Sequence, residues 1–300
     1  MTSLVRSRRA FHLGMQHTIS GGLSEVALLA LLADIQWSEM GRLTGCPPSR
    51  QVDADGRSVY ASIFFVDIDG FPADGLRAFR PDDDIEIVSG LGRFGLTMLE
   101  GEHALFPAET LAAALPETLP TGPRVRLSSV LIALGVGAED LRISTPANAP
   151  LDGIPLLPTR PDSYRLIREA QAAGIFFATP AVARRLWPGA HTVTVAINPD
   201  RDLNGVGLLY FANYITFMDV GERAALAGPG EVAASALDGR ATVRRRIGFF
   251  GNARPSDAVI VEVEGFALET GALLLHHRVR RQSDGRLIAV ASAEKRLRTD

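Results

Sequence analysis

Two stretches of the chain are apolar around the whole circumference of a helix. The first predicts a helix over residues 23–42, in which residues 26–33 include no polar side chain. The second predicts a helix over 208–226, where Asn213 and Thr216 are the only polar residues before Asp219. A surface helix carries a single apolar stripe, whereas a helix that is apolar on all sides is buried. We therefore expect each helix to lie inside a sheet of its own.

Runs rich in Val, Ile and Phe follow each helix and are bounded by Gly, Pro and Asp, a pattern that predicts strands. The predicted strands are residues 58–69, 85–91, 95–106 and 124–134 after the first helix, and 241–250, 259–268, 272–281 and 286–297 after the second. The Asp284-Gly285 pair is typical of a tight hairpin turn. Strands joined by short turns pair antiparallel, so the pattern predicts the α+β class.

A repeated turn relates the two halves of the chain. Arg80-Pro81 and Arg254-Pro255 each begin an R-P-x-D turn that leads into an apolar strand. The pattern therefore predicts two copies of one unit, a buried helix with an antiparallel sheet around it, in residues 1–150 and 151–300. The joint is Pro-rich between residues 147 and 175 and ends in a predicted amphipathic helix over 162–173. The alternative is two unrelated α+β domains that share a common turn.

Composition narrows the function classes. The 300 residues carry a formal net charge of −3, which gives no reason to expect a nucleic-acid partner. Cys46 is the only cysteine, so neither disulfides nor a thiol-based zinc site is expected. The adjacent residues His276 and His277 face opposite ways on a strand, and we expect no metal site. The basic first residues are not followed by the apolar stretch of roughly 7–15 residues typical of a secretory signal. No apolar run reaches about 18–20 residues, so we expect a cytoplasmic location and no membrane.

The predicted architecture resembles the hot-dog fold, in which a buried helix lies in a curved antiparallel sheet, and here it occurs in tandem as a double hot-dog. The segment YFANYITFMD, residues 210–219, resembles the helix start of small acyl-CoA thioesterases, which have Asp where this chain has Asn213. Residues 14–18 and 22–25, with the helix that follows through Trp37, resemble decarboxylating acyltransferases of polyketide clusters, the group of the leinamycin acyltransferase/decarboxylase.

This resemblance implies a bifunctional acyltransferase/decarboxylase. Such an enzyme removes carbon dioxide from methylmalonyl-CoA, carries the acyl group on a tyrosine and delivers it to an acyl carrier protein. Acyl-CoA is then the substrate and no cofactor is needed. Tyr60 is the tyrosine on the strand after the first helix, and His17 and Asn213 are the further catalytic candidates. The substrate-binding candidates are Thr18, Tyr210 and Arg245.

The tyrosine chemistry can be argued without the resemblance. A phenol has a pKa of about 10 and is a poor nucleophile at neutral pH. Loss of carbon dioxide leaves an enolate, which is basic enough to take the proton of Tyr60. Decarboxylation also needs a dry pocket and donors for the enolate oxygen. The helix starts near Gly22 and Tyr210 are candidates for those donors.

We expect Tyr60, His17 and Asn213 to line one cleft between the halves, and Arg245 to contact CoA phosphates or an acidic carrier protein. Each residue also has a structural interpretation. Tyr60 would be a core tyrosine, His17 and Thr18 would cap the approach to the first helix, and Asn213 would be a paired amide. Arg245 would belong to a solvated strand edge. No G-x-S-x-G elbow is present, and Cys46 has no histidine near it in sequence. The alternatives are a hot-dog acyl thioesterase and a non-catalytic carrier-binding protein. The chain is expected to be a monomer or a homodimer.

Overall fold

The computed structural model describes residues 5–20, 22–108, 115, 119–134, 141–227 and 238–297. The first half contains β1 (Val5–His12), α1 (Glu25–Thr44), β2 (Val59–Asp69), β3 (Asp84–Phe94), β4 (Met98–Pro107) and β5 (Arg124–Leu134). Helix α2 (Ser163–Ala173) lies in the connecting segment. The second half contains β6 (His191–Ala196), α3 (Tyr214–Leu226), β7 (Ala241–Phe249), β8 (Ala258–Ala267), β9 (Ala272–Arg281) and β10 (Leu287–Arg296). Shorter elements are the strands Thr18–Ile19, Gly22–Leu23, Leu141–Ile143 and Arg184–Arg185, the helix Pro199–Asp202, and 3-10 turns that include Gly75–Ala78 and Phe211–Asn213.

The sheet shows the internal repeat directly. Its strand order is β1-β3-β4-β5-β2-β7-β10-β9-β8-β6, and every pairing is antiparallel. Each strand of the first half has a counterpart in the second half at the same distance from the middle of the sheet. For example, β2 and β7 are the two central strands, and β1 and β6 are the two outermost strands. The two halves therefore meet at β2 and β7, about an approximate two-fold axis, and each contributes one helix. This is the double hot-dog predicted from the sequence.

The register at the junction relates the halves residue by residue. The paired residues are Phe65–Gly248, Val66–Ile247, Asp67–Arg246 and Ile68–Arg245. Both strands also carry an irregularity at the matching place, between Ile63 and Phe65 in β2 and between Thr242 and Arg244 in β7. The symmetry thus equates Ile63 with Thr242 and Val66 with Arg245.

Helix α1 begins and ends with ordinary caps. The Ser24 hydroxyl accepts a hydrogen bond from the Ala27 N–H at 3.4 Å, and Gly45 ends the helix in the left-handed region at φ 67°. Its leucines Leu28, Leu29 and Leu32 are fully buried in the main core. The other residues of 26–33 are half-buried, so the all-round apolar pattern predicted the burial of the helix only in part.

Helix α3 begins six residues later than its apolar pattern predicts. The backbone before it is extended, because the Leu209 N–H donates to Asn252 Oδ1 at 3.0 Å and the Tyr210 N–H donates to the Asp202 carbonyl at 2.8 Å. The 3-10 turn Phe211–Asn213 then leads into the helix. Apolar residues packed in an extended segment look the same in the sequence as residues of a buried helix.

Two of the ten strands in this order escaped prediction, and both lie at the outer ends of the sheet. β1 pairs only with β3, and β6 only with β8. β1 has the sequence VRSRRAFH, whose three arginines suit an edge strand but weaken the apolar signal. Among the described residues, no helix is long and apolar enough to span a membrane.

Candidate functional site

A cavity of about 620 Å³ opens where the two halves meet, and we call it the junction cleft. One wall is the middle of α1, with Ala33, Asp34 and Trp37. A second wall is the backbone and side chains of residues 58–63 in and before β2. The segment that leads into α3, with Leu208 to Phe211, closes the third side. The cleft is thus built from both halves, and its lining is mainly apolar with interspersed polar side chains such as Gln36, Ser62 and Asn252.

Tyr60 lines the junction cleft but lies on the face of β2 that points away from α1. Its neighbours Val59 and Ala61 pack toward Met40 of α1, while Tyr60 packs with Ile132 and Leu208. Only 7% of Tyr60 is exposed, and its hydroxyl has no hydrogen-bond partner among the described residues. Burial raises the pKa of the phenol, so Tyr60 is neutral at physiological pH.

Asp34 is the one carboxylate among the described residues that line the junction cleft. It is exposed on α1 and close enough to Tyr210 for its charge to act on that phenol. Burial, reinforced by Asp34, raises the pKa of Tyr210 to about 12. The Tyr214 hydroxyl is already occupied, since it donates to the Gly251 carbonyl at 3.3 Å. Asp34 is therefore the group in the cleft best suited to accept a proton.

A buried neutral cluster closes the inner end of the cleft. The Gln36 Nε2 donates to the Ser129 Oγ at 2.6 Å, and both residues line the cavity. Behind them His103 Nδ1 lies 2.8 Å from the Ser89 hydroxyl, and burial lowers the pKa of this imidazole to about 3. Gly101 leaves the room for the Gln36 amide, because a Cβ there would overlap its oxygen. The sequence did not predict this cluster, although Gln36 is a buried polar residue that follows the apolar run of α1.

The second half holds an ionised cluster at the matching place in its own core. Glu222 of α3 lies 3.0 Å from His277 Nε2 and 2.6 Å from Lys295 Nζ, and all three are buried. Although burial alone would raise it, the pKa of Glu222 is held well below its usual range, by Lys295 first and then by His277 and Arg245. This cluster lies beside a second cavity of about 480 Å³, which we call the second cleft. The symmetry-related sites have therefore diverged in charge.

The predicted role of Arg245 needs correction. Its guanidinium has 0% exposure and lies in ion pairs with Glu25, Nε to Oε2 at 2.8 Å, and with Glu222 at 3.3 Å. Its position on the inner face of β7 leaves it no path to CoA phosphates or to a carrier protein. Arg244 and Arg246, on the outer face, instead pair with Glu294 and Asp67. Arg245 thus belongs to the buried cluster.

His17, Thr18 and Asn213 do not line the junction cleft, so the structure does not bring Tyr60, His17 and Asn213 together in one cavity. His17 Nδ1 accepts a hydrogen bond from the Gly14 N–H at 3.0 Å, and Thr18 Oγ1 donates to the Met15 carbonyl at 3.3 Å. Both residues hold the approach to α1. Asn213 Nδ2 donates to the Arg201 carbonyl at 2.6 Å, at the start of α3. Of the six candidates, Tyr60 and Tyr210 line the cleft.

Comparison with known proteins defines the fold. No model of a known protein family matches the chain, and no curated protein matches it in sequence. Among solved structures, a protein assigned as an oleoyl thioesterase from Lactobacillus plantarum aligns with a TM-score of 0.66 at 9% identity, over 99% of this chain and 97% of that one. An acyl-ACP thioesterase from Bacteroides thetaiotaomicron aligns with a TM-score of 0.58 at 9% identity, over 97% of each chain. The 12:0-ACP thioesterase from Umbellularia californica also gives 0.58, at 12% identity, over 98% of this chain and 94% of that one.

The chain has the double hot-dog fold. The alignments extend over nearly the full length of all three proteins, so both halves and their order are shared. At these identities the likeness concerns the fold alone. Among the described residues, no group of three His, Cys, Asp or Glu side chains is placed to hold a metal ion.

Proposed function

We propose that the chain is an enzyme that acts on acyl thioesters in the junction cleft, and that hydrolysis is its principal reaction. The observation that carries the proposal is the cleft itself. It lies between the two hot-dog halves, has an apolar lining that suits an acyl chain, and presents one carboxylate, Asp34, beside the start of α3. The three full-length structural neighbours are described as thioesterases, two of them for acyl-ACP.

The groups in the cleft are sufficient for hydrolysis. Asp34 takes a proton from water as that water attacks the thioester carbonyl, and the carbon–sulfur bond breaks. The leaving thiolate then takes this proton from Asp34, which regenerates the carboxylate. The first N–H groups of a helical segment have no intrahelical partner and favour negative charge. The turn Phe211–Asn213, which leads into α3, borders the cleft at Phe211. The Asn213 N–H is taken by the Tyr210 carbonyl at 2.9 Å, so the N–H groups of Phe211 and Ala212 are the donors proposed for the developing oxyanion.

A second candidate function is decarboxylating acyl transfer through Tyr60, and one observation favours it. A buried hydroxyl without a partner is unusual and calls for an explanation. A malonyl-type thioester loses carbon dioxide to give an enolate, which takes the phenolic proton. The phenolate then attacks the resulting acyl thioester, so that a tyrosine ester forms and the thiol leaves. The raised pKa of Tyr60 agrees with a phenol that reacts only after this proton transfer.

Intact-mass and product analysis separate these functions. Purified protein is incubated with malonyl-, methylmalonyl- and propionyl-CoA and with longer acyl-CoAs, and free acid, carbon dioxide and protein mass are followed. Hydrolysis predicts free acid and an unmodified protein, with activity lost in Asp34→Asn and largely kept in Tyr60→Phe. Transfer predicts a propionyl-sized adduct from methylmalonyl-CoA that is absent in Tyr60→Phe. The same acyl groups are also supplied on an acyl carrier protein. If neither the acyl-CoAs nor the acylated carrier protein are consumed, the chain is a non-catalytic binding protein and both proposals fail.

A further inference from the structure

Strand β2 has hydrogen-bonded neighbours on both sides over only part of its length. β5 pairs with it from Val59 to Asp69, whereas β7 pairs with it only from Phe65 to Ile68. β7 ends at Phe249, and the next N–H, of Phe250, bonds to the Ile288 carbonyl of β10. One edge of residues 59–63, which we call the open edge, therefore faces the junction cleft.

The register identifies which backbone groups point into the cleft. The Leu131 N–H donates to the Thr97 carbonyl at 2.7 Å, and the Leu131 carbonyl accepts from the Ser144 N–H at 3.1 Å. Leu131 thus directs both groups away from β2, and its partner Ala61 directs its N–H and C=O away from β5. Val59 has the same orientation, and its N–H is occupied by the Gln51 carbonyl at 2.9 Å. In the described chain, no residue pairs with the cleft-facing groups of Ala61.

The matching edge in the second half is closed. Thr242, the counterpart of Ile63, is covered by the turn Gly75–Ala78 between β2 and β3. The approach is so close that a Cβ on Gly75, which has φ 58°, would overlap the Thr242 carbonyl oxygen. The corresponding connection between β7 and β8, residues 250–257, is shorter than residues 70–83 and supplies no such cover. The edge is therefore open in one cleft only.

We propose that the open edge of β2 binds the pantetheine arm of the thioester substrate, with Ala61 N–H and C=O pairing with an amide of the arm. This inference rests on the proposed function, because it names the substrate class for the same cleft. A pantetheine arm is an extended chain with two secondary amides, each a donor and an acceptor. Extended amide chains add to free sheet edges through main-chain hydrogen bonds.

The dimensions and the direction of the edge agree with this ligand. Five strand residues span roughly 13–17 Å, which is comparable to an extended arm. The open edge runs from Val59 to Ile63, and Ile63 lies opposite Ser129 at the inner end of the cleft. A thioester at the tip of the arm would enter among the polar groups already described. Coenzyme A and acyl carrier proteins share this arm, so both are expected to bind.

Amide hydrogen exchange resolved by NMR tests the inference without requiring turnover. Exchange at Ala61 is measured in the free protein, with saturating pantetheine and with saturating coenzyme A. We expect exchange at Ala61 to slow more than tenfold with either ligand, while Val59, already bonded to Gln51, changes little. Equal protection by both ligands places recognition in the arm. Protection by coenzyme A alone would place recognition in the nucleotide and overturn the inference.

A variant pair gives an independent measurement. Ala61→Pro removes the cleft-facing N–H and leaves the ladder with β5 intact, since proline is tolerated at a strand edge. Pantetheine affinity is expected to fall more than tenfold, whereas Ala61→Ser, which keeps the N–H, should bind normally. If Ala61→Pro does not fold, the exchange measurement alone decides.

The outcomes distinguish this inference from the proposed function. If acyl-CoA is hydrolysed but bound ligand leaves Ala61 exchange unchanged, the inference fails and the function stands. If pantetheine protects Ala61 but no thioester is consumed, the binding site stands and the function fails. If Ala61 is protected without ligand in a concentration-dependent way, a second copy of the chain occupies the edge and the inference is wrong.

Discussion

Replacing Glu222 by glutamine should destabilise the fold strongly. The Glu222 carboxylate is fully buried and contacts Lys295 at 2.6 Å, His277 at 3.0 Å and Arg245 at 3.3 Å. Glutamine keeps the volume but removes the negative charge, so the nearby buried cations lose a partner. Removing one member of a buried ion pair costs about 3–5 kcal/mol. At roughly 2–4 °C per kcal/mol for a chain of this order of size, Tm should fall by about 6–20 °C.

Urea unfolding and calorimetry measure this effect, with Glu269→Gln as the matched control. Glu269 is exposed in the turn between β8 and β9, so its substitution should change stability by less than about 0.5 kcal/mol. Charge balance can also be restored, and the double variant Glu222→Gln with Lys295→Met should recover part of the loss. A Glu222→Gln protein that unfolds at the wild-type urea concentration would refute the assignment of this cluster as a buried ionic core.

Two further substitutions test the geometry of other regions. Gly75→Ala should lower the free energy of unfolding by at least about 1–2 kcal/mol, because φ is 58° and the added Cβ meets Thr242; equal urea midpoints would contradict the closed edge. Glu100→Gln should change the pH dependence of stability. Burial raises the pKa of Glu100 to about 7 from 4.5, so its neutral form contributes stability that is complete below pH 4.5 and is lost as pH rises through 7. The variant should therefore be more stable than wild type by about 1–3 kcal/mol at pH 8, whereas a larger gain at pH 5 than at pH 8 would show that Glu100 is ionised in the fold.

The periodicity of the sequence was sufficient to predict the repeated helix-and-sheet unit, but it did not predict the outermost strand of each half. Val, Ile and Phe runs located eight strands within a few residues, because these strands are buried on at least one face. β1 and β6 lie at the ends of the sheet, where half of the backbone hydrogen bonds are absent and polar residues are tolerated. The asymmetry of the clefts arises from loop lengths, which carry no periodic signal.

The candidate site was predictable only in part, because the orientation of its side chains depends on contacts between residues distant in sequence. Strand geometry places Arg245 on the opposite face from Arg244 and Arg246, but the sequence does not show which of the two faces is buried. Likewise, Tyr60 is on a cleft-lining strand, but its side chain lies on the face away from α1. His17 and Asn213 have the helix-approach roles that polar residues near helix starts commonly have. The orientation of a strand face and the partner of a capping group depend on contacts distant in sequence.

Release of free thiol from acyl-CoA by two bulky variants tests the central claim most directly. Ala33→Trp fills the junction cleft, and Val220→Trp places the same side chain on α3 at the second cleft. Thiol is released both in hydrolysis and in acyl transfer, so the assay does not depend on which reaction occurs. We predict that wild type and Val220→Trp release thiol at similar rates and that Ala33→Trp loses at least 90% of the activity, roughly a tenfold loss. Full activity in Ala33→Trp together with loss in Val220→Trp would place the reaction in the second cleft and contradict the account.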